Sequence, residues 1–374
     1  LLIAFIFNIV LVAFRKFTKI RSIFTTGHVQ MQQAAIAFWI VLFAFPDLQD
    51  MQYLAIMGVL LGAYWAVGSN LTVEYTQELT EGAGFCVAHQ QMFGIAIFSE
   101  LSKKFFKSDA KKLEDLKLPG FLSIFNENMV ATAVLMTLFF GAILLVLGKP
   151  YLIEAKFLGE GKSFFFYILT TSLNFAVYLA ILQLGVRTFV TELTNSFQGI
   201  STRLLPGAVP GIDVAAVYGF GVANAVPIGF LFGAIGQFLA ILSLILLKSP
   251  VLVIAGFVPV FFDNATIAVY ANSKGGVKAA MIMPFISGLI QVYGSALVAQ
   301  FIGLAVYGGY LGMFDWATVW PVIAVLLKYA GYFGVAIVFV ALMAIPQIQY
   351  ARHKDTYFLI TDDYAAYLEK IAAK

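Results

Sequence analysis

The stretch NMVATAVLMTLFFGAILLVL, residues 128–147, is predominantly apolar and carries no charged side chain. An α-helix needs about 20 such residues to cross the hydrocarbon layer of a bilayer, so this stretch predicts a transmembrane helix. Further apolar stretches lie at 1–14, 34–46, 51–70, 84–99, 163–186, 222–247, 276–306 and 315–345. The chain is therefore predicted to be an all-α polytopic membrane protein, folded as a multi-span helical bundle.

The composition excludes an ordinary soluble globule. Hydrophobic residues make up 61% of the 374 residues and charged residues only 11%, against roughly a quarter charged in a soluble domain. The mean hydropathy of +0.90 would require more protein interior than a soluble chain of this length provides. Nucleic-acid binding is excluded as well, because it needs a basic face, whereas the net charge of +3 comes from short loops.

Three apolar stretches are too short to cross a bilayer as single helices: 34–46, 84–99 and 251–262. We interpret them as half-spans or re-entrant hairpins, which membranes tolerate only where the broken backbone is buried in protein or lines a wet cavity. Broken helices around a polar interior are therefore expected.

Lysine and arginine residues predict the topology, because they cluster at 15–21, at 103–117 and at 352–354. The positive-inside bias predicts that all three segments, and with them the C-terminus, lie in the cytoplasm. The first apolar stretch precedes its positive charges, unlike that of a signal peptide. Because Leu1 is also not methionine, further sequence upstream is expected.

The basic segment 100–118 allows three interpretations that the sequence leaves open. Its leucine and phenylalanine residues alternate with lysines, as in a helix that lies along the anionic cytoplasmic leaflet. It could equally form a solvated linker or a docking surface for a partner protein.

Polar side chains inside the apolar stretches are the candidates for a site, because such groups at membrane depth are costly and usually face a pathway or a partner. His28 shares a helical face with Gln32, four residues later, and His89 is followed by Gln90. Imidazole and amide groups both donate and accept hydrogen bonds, which suits a polyhydroxylated ligand. Hydrogen bonding between helices would explain one such cluster, but two similar clusters favour a substrate site.

Asp213 is the fifth candidate for this site. It follows the Pro/Gly-rich break at 205–211 and can therefore lie at the end of a half-helix, where transporters with discontinuous helices bind substrates. Alternatively, Arg203 or Arg187 neutralises it as a structural counter-ion. Asp263, which ends the run 251–262, receives no predicted role.

No enzymatic signature competes with a transporter. The sequence lacks a Gly-Lys-Ser/Thr phosphate loop and the H-E-x-x-H motif, and its single cysteine, Cys86, excludes a disulfide framework and a thiolate metal site. We predict no catalytic residue, no cofactor and no metal, so energy must come from an ion gradient or a separate protein. A short repeat of Gly-Phe, Phe and acid-Asn at 120–128 and 256–264 favours two related halves, a recurring transporter plan.

A series of motifs runs in order along nearly the whole chain. It consists of Thr26-Gly27-His28 with Gln32-Gln33, Gly84-Phe85 with His89-Gln90-Gln91, Asp115 to Leu122, Gly185-Val186-Arg187, Gly199-Ile200-Ser201 with Arg203-Leu204, Pro206 to Val209 with Ile212-Asp213, and Asn264 to Ile267 with Ala271-Asn272. In these motifs the chain resembles the membrane-embedded IIC permeases of the bacterial phosphotransferase system (PTS) that are specific for L-ascorbate.

The resemblance implies a homodimer whose protomers each have a substrate-binding core domain and a V-shaped scaffold domain. On this basis, residues 1–120 and 200–346 are expected to form the two parts of the core, 121–199 the scaffold and dimer contact, and 347–374 a cytoplasmic tail. The implied substrate is L-ascorbate, bound by His28, Gln32, His89, Gln90 and Asp213. The phosphocysteine of a separate IIB protein would then phosphorylate it, so this chain itself is not an enzyme.

Three alternatives stay open at this point. A related IIC permease for a neutral polyol would keep the fold but would not prefer an anion, which ascorbate is at neutral pH. A proton- or sodium-coupled carrier would need no IIB protein. A channel would need a continuous pore, which the predicted hairpins argue against.

Overall fold

The computed structural model describes residues 1–106, 111–115, 128–253, 256, 258–307, 310 and 312–373. Its helices are α1 Leu2–Ala13, α2 Arg15–Thr18, α3 Gly27–Ala44, α4 Asp50–Thr80, α5 Met92–Phe106, α6 Asn128–Glu154, α7 Phe164–Leu204, α8 Ala225–Leu246, α9 Asn264–Phe301, α10 Phe314–Arg352, α11 Leu359–Asp362 and α12 Tyr364–Ala372. The strands are β1 Ser22–Phe24, β2 Cys86–Val87 and β3 Val209–Ile212.

Long apolar helices dominate the described residues, which confirms the prediction of an all-α polytopic membrane protein. Six of them are long and apolar enough to cross a membrane: Asp50–Thr80, Met129–Glu154, Phe164–Phe197, Ala225–Leu246, Pro259–Phe301 and Phe314–Arg352. Three of the long helices are interrupted, at Gly148 in α6, Gly276 in α9 and Gly331 in α10. At Gly276 the backbone has φ 70°, a left-handed conformation that glycine adopts without steric cost.

The three short apolar stretches have different structures. Residues 34–46 belong largely to α3, an 18-residue helix. Residues 84–99 contain β2 and then the first half of α5. The run 251–262 ends in the single π-helical turn Pro259–Asp263, which leads into α9. Broken helices are thus present, while the re-entry of these segments into a bilayer stays a prediction.

The strands form a small parallel sheet that the sequence did not predict. β3 lies in the middle, with Ser22 of β1 paired to Val209 and Cys86 of β2 paired to Gly211. Every residue of the three strands is buried. Because an unpaired N–H or C=O group costs several kcal/mol in a membrane interior, the non-helical segments satisfy their backbone groups by pairing with one another.

Burial differs sharply between the spans. In the apolar part of α4, 72% of the residues are buried inside the protein, against 17% in α7 and 28% in α6. α4 contacts both the sheet and α5 and therefore forms the centre of the protein, whereas α6 and α7 pack mainly on each other. The face that α6 and α7 leave uncovered consists of large apolar side chains.

The tail, defined here as residues 353–373, folds back onto the segment that carries the first basic cluster. Arg15 donates two hydrogen bonds, of 3.1 and 2.9 Å, to the carboxylate of Asp362. The fully buried guanidinium of Arg21 lies 3.5 Å from the ring centroid of Tyr357. Two segments that the charge bias assigns to the cytoplasm therefore lie at the same end of the molecule.

A contact between His353 and Glu74 joins the start of the tail to α4. The hydrogen bond from the imidazole Nδ1 to Glu74, 2.8 Å long, raises the pKa of His353 above its ordinary value; Glu78 adds to this effect and Lys103 opposes it. A group with a raised folded-state pKa stabilises the fold fully below its unfolded-state value of about 6.5. That contribution is lost as the pH rises through the higher, folded-state pKa.

We therefore expect protease cleavage within the tail to accelerate as the pH rises from about 6 to about 9. Limited proteolysis of the purified protein measures this. The variant used for comparison changes only His353 and keeps Arg21 and its contact to Glu74. His353→Gln removes the titrating group, so cleavage of this variant should vary little with pH beyond the protease's own profile. An equally steep dependence in the variant would assign the effect to another group.

Some features named from the sequence lie outside the described residues. They are Lys107, residues 116–127 with Lys117, and the first copy of the short repeat except Asn128. The similarity of the two repeat copies therefore stays a prediction, as do the three interpretations of the basic segment.

Candidate functional site

The parallel sheet brings three of the predicted site residues together. Parallel strands end at the same edge of a sheet, and here each strand is followed by a candidate residue. His28 begins α3 shortly after β1, His89 follows β2 after Ala88, and Asp213 comes directly after β3. Two backbone hydrogen bonds beyond the strands, from Thr25 to Gly211 and from Ala88 to Ile212, continue the pairing toward the site.

Asp213 lies between the two histidines. Its Oδ2 is 3.1 Å from Nε2 of His28 and 3.7 Å from Nε2 of His89. Its Oδ1 accepts a 2.9 Å hydrogen bond from the backbone N–H of Ala215 and so caps the 3₁₀ turn Val214–Gly219. One carboxylate oxygen therefore fixes the orientation of the side chain, and the other is directed at the histidines.

The site is open on one side and closed on the other. The side chain of His28 is 67% exposed and that of Asp213 31%, whereas that of His89 is 5% exposed. A ligand can therefore approach past His28 and meet His89 at the bottom of the site.

The alternative role of Asp213, as the counter-ion of an arginine, has no support among the described side chains. Within that part of the chain, the basic side chains within 4 Å of its carboxylate are the imidazoles of His28 and His89. Arg203 is exposed, and the side chain of Arg187 lies outside the described residues.

The two predicted glutamines have different environments. Gln32 is exposed one turn after His28 on α3, as the i, i+4 spacing predicted. Gln90 is fully buried. Its Nε2 donates to Oε1 of Gln32 at 3.0 Å, and its Oε1 accepts from Gln33 at 3.0 Å and from the indole of Trp316 at 2.6 Å. Gln90 thus holds Gln32 in place and lies behind it.

Gln91 is a site residue for which the sequence analysis predicted no role. Its Nε2 donates to the backbone carbonyl of Phe262 at 3.2 Å, and its Oε1 lies 2.8 Å from Nδ1 of His89. Because the Phe262 carbonyl can only accept, the Gln91 oxygen must face His89, and Nδ1 must carry the proton. Nε2 of His89 is left to face Asp213 and a ligand. The signal in the sequence was the pair of glutamines that follows His89.

Two buried carboxyl groups fix helix ends behind the site. Asp263, which had no predicted role, accepts hydrogen bonds from the backbone N–H of Phe314 at 2.7 Å and from Gln291 at 3.1 Å. It therefore holds the start of α10. Asp315 is fully buried as well, and its backbone N–H donates to the carbonyl of Gln90.

The chemistry of this arrangement is recognition of polar groups. A carboxylate oxygen, two imidazole nitrogens and an exposed amide converge from three separate segments, and none of them is a hydroxyl or thiol nucleophile. One ring nitrogen from each of His28 and His89 and a carboxylate oxygen of Asp213, all possible metal ligands, lie within 4.8 Å of one another. Cys86 is fully buried within β2. The site can bind a hydroxyl-rich solute or a metal ion.

Two comparisons with known proteins found similar chains. Residues 1–321 match the family described as the PTS system sugar-specific permease component, EIIC-GAT. The chain is 36% identical over 327 residues to a protein of Mycoplasma pneumoniae (strain ATCC 29342 / M129 / Subtype 1) named "Ascorbate-specific PTS system EIIC component". The alignment covers 78% of this chain and 49% of that protein, so the chain spans about half the length of the curated relative that it matches.

Proposed function

This chain belongs to the family of PTS system sugar-specific permease components, and from that premise we propose that it binds L-ascorbate and carries it inward across a bacterial inner membrane. Transport would be coupled to phosphorylation of the sugar by a separate phosphorylated IIB protein. The name of the Mycoplasma relative supports ascorbate as the substrate, and the polar site of a multi-pass membrane protein supports transport.

The observation that carries the proposal is the position of Asp213 between His28 and His89, with Gln32 exposed beside them. Ascorbate is a small ring compound with several hydroxyl groups. A carboxylate accepts from such hydroxyls with charge-assisted hydrogen bonds, while imidazole and amide groups can serve either as donors or as acceptors. The open side at His28 and the closed side at His89 give the ligand one entrance in this conformation.

Phosphorylation by a partner explains how uptake becomes one-way. The candidate site residues described above include no hydroxyl or thiol nucleophile, and in this proposal the phosphoryl group comes from the separate IIB protein. Phosphorylation lowers the concentration of free ascorbate inside and prevents its return through the same site. The chain's own contribution is to bind the sugar and to move it between the two sides.

The proposed architecture is a homodimer with a mobile core and a scaffold. Residues 1–120 and 200–346 would form the core and residues 121–199 the scaffold. The segment 347–374, which includes the tail, would be cytoplasmic. The low burial of α6 and α7 within one chain supports this assignment, because their apolar faces are available to lipid or to a second copy. The contacts between the tail and the first basic cluster support a common cytoplasmic side.

Uptake of labelled L-ascorbate tests the proposal directly. Cells or vesicles that contain this protein are compared with and without the IIB partner. We expect accumulation of phosphorylated ascorbate only when IIB is present. Accumulation of unmodified ascorbate without IIB, driven by a proton or sodium gradient, would support the ion-coupled carrier instead. Transport of a neutral polyol but not of ascorbate would support a related permease.

Replacement of the exposed glutamine gives a prediction about binding alone. Gln32→Ala removes a neutral hydrogen-bonding group beside the ligand, and we expect ascorbate binding to weaken by about 1 kcal/mol, roughly five-fold. Calorimetry on the purified protein measures this.

Gln90→Ala serves as the comparison, because Gln90 is buried and braces Gln32. Gln90→Ala leaves the indole N–H of Trp316 without its acceptor, so this variant should lose thermal stability as well as affinity for ascorbate. Unchanged binding in both variants would remove the glutamines from the site.

A further inference from the structure

His28, His89 and Asp213, which lie around the proposed substrate position, also have the properties of a transition-metal site. One ring nitrogen of His28, one of His89 and a carboxylate oxygen of Asp213 lie within 4.8 Å of one another. Two imidazoles with one carboxylate form a ligand set that zinc uses in proteins, with a fourth position left open. The three residues come from three distant parts of the sequence, so no spacing motif could reveal them.

We infer that His28, His89 and Asp213 bind a divalent transition-metal ion such as Zn²⁺, and that the ion competes with the sugar for the site. Ligand atoms about 2.0–2.1 Å from a tetrahedral zinc lie roughly 3.3 Å apart. The distances of 3.1 and 3.7 Å from Asp213 Oδ2 to the two histidines bracket this value. His28 is mostly exposed, so its ring can rotate to close the remaining gap to His89.

Gln91 supplies the support that such a site needs. A histidine that binds a metal through one nitrogen normally donates its other N–H to an acceptor, which fixes the ring and the tautomer. His89 has this arrangement, because Nδ1 faces Oε1 of Gln91 at 2.8 Å and the carbonyl of Phe262 fixes the amide of Gln91. Because Nδ1 carries the proton that Gln91 accepts, Nε2 is the nitrogen left to bind an ion, and it lies 3.7 Å from Oδ2 of Asp213.

The chemistry of the ligands selects the class of ion. Imidazole nitrogen suits zinc, copper and nickel, whereas magnesium and calcium prefer sets made entirely of oxygen atoms. The bound ion would be a competitor from solution and would have no part in transport. It would occupy the same carboxylate oxygen and imidazole nitrogens that the proposed sugar uses, so the two ligands exclude each other.

Titration of the purified protein with zinc chloride alone tests the metal site. We expect one saturable zinc ion per chain by calorimetry. His28→Ala, at an exposed position, and Asp213→Asn should each weaken zinc binding at least about ten-fold, as should Gln91→Leu, since loss of an orienting partner typically costs about 10- to 100-fold in metal affinity. Melting curves without zinc identify any variant that fails to fold.

Two controls separate this site from other zinc ligands. Gln32→Ala changes a residue that lies beside the site but is not one of its three ligands. His353→Ala removes the other histidine-carboxylate contact of the described chain, the one with Glu74. Both variants should bind zinc as the wild type does. Zinc binding that survives in His28→Ala and Asp213→Asn, or that disappears in His353→Ala, would overturn the assignment.

Competition is measured separately, by ascorbate binding at increasing zinc concentration. Zinc should raise the apparent Kd for L-ascorbate in the wild type and have little effect in His28→Ala. Zinc that binds at these residues but leaves the ascorbate Kd unchanged would overturn the competition. If the protein binds no ascorbate at all, the proposed function fails, while the zinc titration still decides the metal site.

Discussion

Replacing Asp213 by alanine should weaken L-ascorbate binding by about 2–3 kcal/mol, roughly 30- to 150-fold. Oδ2 of Asp213 is the charged acceptor in the site, directed at the space between His28 and His89. Hydrogen bonds to charged groups are the stronger ones, and without the carboxylate a desolvated ligand hydroxyl would lose its acceptor. Binding of labelled ascorbate to the purified variant measures the effect.

Asp213→Asn is the matched variant, since asparagine keeps the size and one acceptor oxygen but removes the charge. We expect Asp213→Asn to weaken L-ascorbate binding by about 1–2 kcal/mol, roughly ten-fold. The cap on Ala215 can be kept by asparagine and is lost in alanine, which adds about 0.5–2 kcal/mol of instability to the alanine variant alone. A large fall in melting temperature with near-normal affinity in both variants would assign Asp213 a structural role.

The second large effect is expected in stability, at Asp315. Its Oδ2 accepts hydrogen bonds from the hydroxyl of Tyr64 at 2.8 Å and the N–H of Phe93 at 3.2 Å, and its Oδ1 accepts from the N–H of Gly94 at 3.2 Å. The carboxyl group thereby caps the start of α5 from the neighbouring helix α10. Asp315→Ala leaves three donors without an acceptor, two of them buried and that of Phe93 half-buried, at about 1–3 kcal/mol for each buried one.

We expect Asp315→Ala to lower the free energy of unfolding by about 3–5 kcal/mol in total, because partial rearrangement offsets some of the loss. Thermal unfolding in detergent, followed by circular dichroism, measures the change. Asp315→Asn retains one acceptor oxygen and should lose less than half as much. A melting temperature for the alanine variant equal to that of the wild type would show that these hydrogen bonds contribute nothing to stability.

The membrane-spanning architecture could be predicted from the sequence because hydropathy is a local property. A stretch such as 128–147 predicts its helix without knowledge of its neighbours, since a span must only be apolar and about 20 residues long. The helical face shared by His28 and Gln32 followed from spacing in the same way, and α3 confirms it. His89 and Gln90 could be named as candidates because polar groups are rare in such stretches, and Asp213 because it follows a Pro/Gly-rich break.

The roles of those residues depended on contacts between distant segments. Strands of two to four residues are too short to show a periodic pattern, so the sheet was not predicted. The sequence also could not distinguish Gln90, which is buried behind Gln32, from Gln91, which orients His89.

The sequence by itself therefore determined the positions of the apolar segments and the membrane environment. It also showed which polar residues are candidates for a site. What only the tertiary structure decided is that His28, His89 and Asp213 meet. They follow β1, β2 and β3, whose pairing joins parts of the chain that are more than a hundred residues apart. The physical reason is that unpaired backbone groups in a membrane interior must find partners, and the partners they find are set by the packing of the whole chain.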